Sequence, residues 1–342
     1  MIPENFWKSA VFGALLFGLG APAAQAETIT LKYSNWLPSG YSITEKVVKP
    51  WIADVERVTE GRVKVEFLPK AVGTVPGQYD VIADGLADLS LIVPGYTPGR
   101  FPLVEGLELP FLGDDQSKRA VAAQKAYEKY IKPTGELSEV HIVGIFSSNT
   151  AHFVMGKKVI NTVDDVKGLK LRSPNPVANA ELGLFEAVAI AKPASEIYEL
   201  MSGGIIDGAV FPIDVIQPFK LDAVAKEVTM VPGGLTATHQ MIAMSKQAWE
   251  KISEADRKAI ESVSGVVMAE RAGKVLADNL AASTSFLKEK GVNLHTVDDA
   301  FMKAAKEKLA PVRQDWIDKA KKAGLADPEE MLTFVEKESA GM

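Results

Sequence analysis

The chain has 342 residues, no cysteine, 47% hydrophobic residues and a formal net charge of -6. The missing thiols exclude cysteine nucleophiles, disulfide staples and most structural zinc sites. The acidic balance argues against nucleic acid or an anionic membrane as partner, and the length admits two α/β domains with substantial cores.

Residues 1–26, "MIPENFWKSAVFGALLFGLGAPAAQA", read as an export signal. Lys8 and the amino terminus give a weakly positive start, Ala10 to Gly20 is an apolar run too short to span a bilayer, and Ala24-Gln25-Ala26 suits small-residue cleavage. The mature chain is expected to begin at Glu27, to reach the periplasm and to carry no membrane-inserted segment.

Behind the signal, "TITLKYSNW" alternates as a strand. Ile43, Val47, Trp51, Ile52, Val55 and Val58 follow at helical spacing, with a stop at Gly61 where a left-handed cap costs glycine little. Pro50 predicts a kink or a late start of that helix. "RVKVEFLP" reads as a second strand.

A loose internal repeat is more informative than any single motif. "PGQYDVIADGLADLSLIVP" carries Gly85, Asp88 and Pro94, and "PASEIYELMSGGIIDGAVFP" carries Pro193, Ser195, Gly204, Asp207 and Pro212. Both read as helix, Gly-x-x-Asp, apolar strand, proline, which predicts two α/β lobes of related design. Asp88 and Asp207 are expected to bond backbone at the helix-to-strand turn rather than to act as acids.

Ligands of open α/β sheets bind beyond the carboxyl ends of the strands. Three such ends are candidates: Val93-Pro94, Arg172-Ser173-Pro174 and Phe211-Pro212. In "DVKGLKLRSPNP" alternation puts Leu169 and Leu171 on one strand face and Lys170 and Arg172 on the other. Arg172 is therefore either a solvated edge charge or a group held at the mouth of a cleft.

Beyond Met244 the pattern turns helical. After Ser253 apolar residues recur at helical spacing for about ten turns, which predicts one long helix, packed on one lobe or bracing both. "FMKAAKEKLAPVRQDWIDKAKKAG" and "DPEEMLTFVEKES" read as further amphipathic helices.

Catalytic signatures are missing. There is no Gly-x-Ser-x-Gly elbow, no phosphate-cradling glycine loop and no His-Glu-x-x-His. His141, His152, His239 and His295 lack metal-ligand spacing. The pairs Asp114-Asp115, Asp164-Asp165 and Asp298-Asp299 read as caps and loop charges, because adjacent residues do not face one another. No metal and no cofactor are expected.

"GRVKVEFLP", "LELPFL", "VDDVKGLKLRSP", "ASEIYELMSGGIIDGA" and "AWEKISEADRKAI" together resemble, in the expected order, the solute-binding proteins of tripartite ATP-independent periplasmic (TRAP) transporters, the DctP-like family. The resemblance implies a two-lobed periplasmic binding protein fold, type II-like, with a long bracing helix and C-terminal helices. It divides the chain into the signal, a first lobe of residues 27–149 plus about 241–280, and a second of 150–240 plus about 281–342 with the C-terminal helices. It implies that Arg172, ending "GLKLR", grips the solute carboxylate, and a guanidinium fork suits that task.

By the same resemblance Asn175, Trp36, Tyr96, His152, His239 and Gln240 are further ligand-binding candidates. Many relatives carry Glu-Asn-Pro after the Asp-Gly pair, whereas this chain has Val210-Phe211-Pro212, so Phe211 offers an aromatic face in place of an amide. The expected function is a periplasmic receptor, not an enzyme. It would bind a small organic carboxylate, a monocarboxylate with an apolar or aromatic tail, and deliver it to TRAP permease subunits. The alternatives are an ABC-type solute receptor, an exported enzyme acting on carboxylic acids, and a sensory lobe.

Overall fold

The computed structural model describes residues 28–341, and the expected signal, residues 1–26, lies outside them. Strands β1 (Ile29–Ser34), β2 (Val63–Phe67), β3 (Leu89–Ile92) and β4 (Val140–Thr150) build a first sheet. The chain crosses at Ala151 into β5 (His152–Met155), β6 (Lys170–Ser173), β7 (Val188–Ala191), β8 (Gly208–Phe211) and β9 (Glu227–Met230) of a second sheet. It returns to the first as β10 (Ala237–Ser245) and later adds β11 (Asn293–Thr296) to the second. The strand orders are β2-β1-β3-β10-β4 and β11-β9-β5-β8-β6-β7. The molecule is thus two α/β lobes joined by two crossing strands.

The repeat has a physical basis. Asp88 Oδ2 accepts the Lys32 N–H at 2.7 Å, and Asp207 Oδ2 accepts the Lys170 N–H at 2.8 Å. Each aspartate also donates its own N–H to the carbonyl of that same lysine. Gly85 (φ 70) and Gly204 (φ 67) turn the chain through the left-handed region just before, where a side chain would be strained. The same helix-stop and strand-start device therefore sets β3 beside β1 in one lobe and β8 beside β6 in the other.

Pro50 leaves the first helix continuous. A wide turn over Thr44–Val48, closed by the Lys49 N–H on the Thr44 carbonyl, precedes the α-helix Lys49–Val58. Pro50 is the second residue of that α-helix, directly after the wide turn, and the helical run from Ser42 to Val58 continues through it.

The single long helix expected after Ser253 is divided into Glu254–Glu261 and Val266–Glu289. Gly265 breaks it with φ 57 and ψ -121 and donates its N–H to the Val143 carbonyl on β4. Helix Val266–Glu289 packs its first half on β4 and on helix Gln116–Ala126. There Gly273 lets the backbones meet, since a Cβ would lie 2.9 Å from Ser117 Cα. Its second half meets the Ile213–Val215 turn and β11 of the other lobe. Asn149, at the crossing, donates to the Leu276 carbonyl midway at 2.9 Å.

Assigning residues 281–342 wholly to the second lobe does not match the packing. Helix Pro328–Ala340 lies on Gln116–Ala126 of the first lobe, buries Met331, Leu332 and Val335, and pairs Glu338 with Lys125 at 2.6 Å. Helix Asp299–Lys322 spans both lobes, and its Trp316 Nε1 donates to the Pro102 carbonyl at 2.9 Å.

Candidate functional site

The three strand ends converge on one cavity between the lobes. Leu91, Val93 and Tyr96 reach it from the end of β3, Arg172 from β6, and Phe211 and Pro212 from β8. Such a meeting is what parallel strands dictate, since their carboxyl ends open on one side of each sheet.

Arg172 is neither a solvated edge charge nor a rim residue, for it is 1% exposed. β6 lies between β7 and β8, so its side chain reaches carbonyls belonging to both flanks. Nε donates to the Lys192 carbonyl at 2.7 Å, one terminal nitrogen to the Val210 carbonyl at 3.3 Å, and the other to the Tyr96 hydroxyl at 3.5 Å. All of these acceptors are uncharged. Burial holds the guanidinium pKa below its ordinary value, yet an arginine remains a cation at any working pH. Its Cζ stands 5.5 Å from the Phe211 ring centroid, within cation–π range.

The remaining wall is aromatic and aliphatic. Trp36 packs edge-on to Tyr96 with centroids 6.3 Å apart and fixes its indole by donating to the Leu91 carbonyl at 2.8 Å. Phe219 stands edge-on to both Phe211 and Tyr41 at 6.0 and 6.1 Å. Tyr96 also accepts the Ala194 N–H at 3.1 Å, so this first-lobe side chain is bonded twice to the second lobe.

Five expected residues therefore meet at the cavity: Arg172, Phe211, Trp36, Tyr96 and Gln240. Asn175, His152 and His239 do not line it. Thr238 and Gln240 share one face of β10, so alternation turns His239 to the other. There its N–H donates to Glu108 Oε1 at 3.2 Å, and burial depresses its imidazole to about 3.

Asn175 caps helix Pro176–Leu184 by accepting the Ala178 N–H at 2.7 Å, and its amide bonds Thr236 and Ala237. His152 accepts the Val231 N–H at 3.2 Å and is held neutral by burial, at about 4. Tyr41, Phe219 and Thr238 are lining residues that the sequence reading did not reach. The available signal was an aromatic in a loop near a strand end, which "PSGY" and "QPFK" both supply.

Among the described residues no cluster of three or more His, Asp or Glu side chains could hold a metal ion, and no helix is long and apolar enough to cross a membrane. The arrangement offers one buried cation at the head of an aromatic chamber.

The profile of the family described as bacterial extracellular solute-binding protein, family 7 (DctP), matches residues 33–319. The outer membrane transporter protein TsaT of Comamonas testosteroni is 31% identical over 98% of this chain and 99% of its own. A TRAP periplasmic solute-binding protein of Bordetella bronchiseptica, solved with (R)- and (S)-mandelate, is 33% identical with a TM-score of 0.88, covering 92% of this chain and 99% of that one. A marine metagenome TRAP solute-binding protein specific for aromatic acids, solved with 3-hydroxybenzoate, is 27% identical with a TM-score of 0.86 over the same shares. Two lobes, a cavity at the strand ends and a matching profile over most of the length lead to one assignment: the chain belongs to the family 7 extracellular solute-binding proteins, the DctP-type receptors of TRAP transporters, and is a binding protein rather than an enzyme.

Proposed function

We propose that this protein is the periplasmic receptor for an aromatic monocarboxylate, which it delivers to the membrane subunits of a TRAP transporter after export under the signal of residues 1–26. The observation that carries the reading is Arg172: a fully buried guanidinium whose protein bonds all go to uncharged oxygens. A planar carboxylate matches such a fork with charge-assisted hydrogen bonds. Trp36, Tyr96, Phe211 and Phe219 favour a flat apolar body behind that carboxylate. The mandelate and 3-hydroxybenzoate held by the two relatives support the same class. A dicarboxylate or a polyhydroxylated acid would bring more polar groups against these rings than the lining can pair.

Thermal-shift and calorimetric titration of the mature protein with benzoate, mandelate, succinate and sialic acid tests this. Benzoate or mandelate at 100 times its dissociation constant is expected to stabilise the protein by about 2.7 kcal/mol, with little response to the other two. Preferential binding of succinate or sialic acid would overturn the reading.

A further inference from the structure

Gln240 is 8% exposed on β10 and lines the cavity across from Arg172, which stands on the other lobe. Its Oε1 has no hydrogen-bond partner among the described residues, although its amide lies beside the Tyr41 hydroxyl. A buried amide atom left unpaired is unfavourable, so a solute that completes it is preferred over one that cannot. Ser148, another polar residue of the lining, is already committed: its hydroxyl donates to the Asn149 carbonyl at 2.9 Å and accepts the Thr238 N–H at 3.0 Å. The Phe211, Phe219 and Tyr41 rings lead in successive contacts from the guanidinium to this edge. The amide and the guanidinium thus line the same cavity from opposite lobes.

We propose that Gln240 is a specificity residue that selects aromatic acids carrying a ring hydroxyl. A hydroxyl is the group that fits whichever way the amide is turned, because it donates to Oε1 and equally accepts from Nε2. This inference rests on the aromatic-acid reading above, with Arg172 holding the carboxylate.

Calorimetry of wild type, Gln240→Leu and Gln240→Met with benzoate, 3-hydroxybenzoate and 4-hydroxybenzoate tests it, with melting curves to check folding. Wild type should bind at least one hydroxybenzoate about tenfold or more tighter than benzoate. In both variants that ratio should collapse to about threefold or less. Benzoate bound as tightly as both hydroxybenzoates by wild type overturns the role of Gln240, whether or not the variants fold. A preference that survives in a folded variant does the same. Failure of all three acids, in a protein that responds to succinate or sialic acid, instead overturns the aromatic reading and this inference with it.

Discussion

Arg172 exceeds what its place at a strand end required. The Val210 carbonyl on β8, the Lys192 carbonyl just past β7 and the Tyr96 hydroxyl fix its plane, so a cation of another shape cannot replace it. Arg172→Lys keeps the charge and loses the fork. Benzoate affinity should fall by about 2 to 4 kcal/mol, roughly 30-fold to 1000-fold. Because the residue is 1% exposed, the melting temperature should fall as well, and equal affinity in calorimetry would remove the anchor assignment. Phe211→Ala removes one ring against the guanidinium and one edge contact with Phe219. It should weaken benzoate by about 2 kcal/mol through lost contact and a void. Unchanged affinity with a lowered melting temperature would make Phe211 a core residue only.

The paired turns at Asp88 and Asp207 are the elements that make the lobes alike. Each carboxylate bonds a backbone N–H of a neighbouring parallel strand, that of Lys32 within β1 and that of Lys170 at the start of β6, so each fixes strand placement rather than a binding group. Asp88→Ala and Asp207→Ala should each lower stability by about 1 kcal/mol in urea titration. The two sites lie in different lobes, so the double variant should lose the sum. Strong non-additivity would mean that the lobes do not carry the device independently. The break at Gly265 shows what periodicity cannot see. Apolar spacing continues through it, and the bond to Val143 on a distant strand turns the chain there.

At the scale of the whole molecule, Gly95 sets how closely the two lobes can approach. A Cβ there would lie 2.5 Å from Asn175 Cβ and 3.1 Å from the Pro174 carbonyl oxygen, both on the opposite lobe. Gly95→Ala should hold the lobes apart at a cost of about 1 to 3 kcal/mol to the closed form. Small-angle scattering with saturating benzoate should then show less compaction than in wild type, and full compaction at wild-type affinity would sink the idea.

Acidity acts on the same body through buried groups. Burial raises the carboxyls of Glu108 and Glu181 well above their ordinary range, Glu136 to about 7 and Asp214 to about 6. It lowers His141 and His152 to about 4 and His239 to about 3. The raised carboxyls hold protons in the folded chain that the unfolded chain has released, so they make stability fall as pH rises above about 4. The depressed histidines do the opposite, raising stability as pH rises through about 6.5 and levelling off above it, where the carboxyls outweigh them. The melting temperature should therefore decline from pH 6.5 to 8. Glu181, buried with neither oxygen bonded, contributes to that decline, and Glu181→Gln should reduce it. A melting temperature that rises over this interval in wild type would contradict the account.

Much of this was legible in the residues. The Gly-x-x-Asp repeat predicted two lobes because a helix end and a strand start need a left-handed glycine and a backbone-bonding carboxylate in fixed order. The strand-stopping prolines marked the ends where Arg172 and Phe211 meet. Resemblance to a known family added Trp36, Tyr96 and Gln240. His239, Asn175 and His152 came with the same resemblance and are turned elsewhere by strand alternation, a helix cap and a distant backbone N–H. Local pattern fixes which backbone a segment adopts, since helix, strand and turn preferences act over a few residues. Which side chains share a cavity depends on contacts between segments far apart in the chain, and no local spacing encodes those.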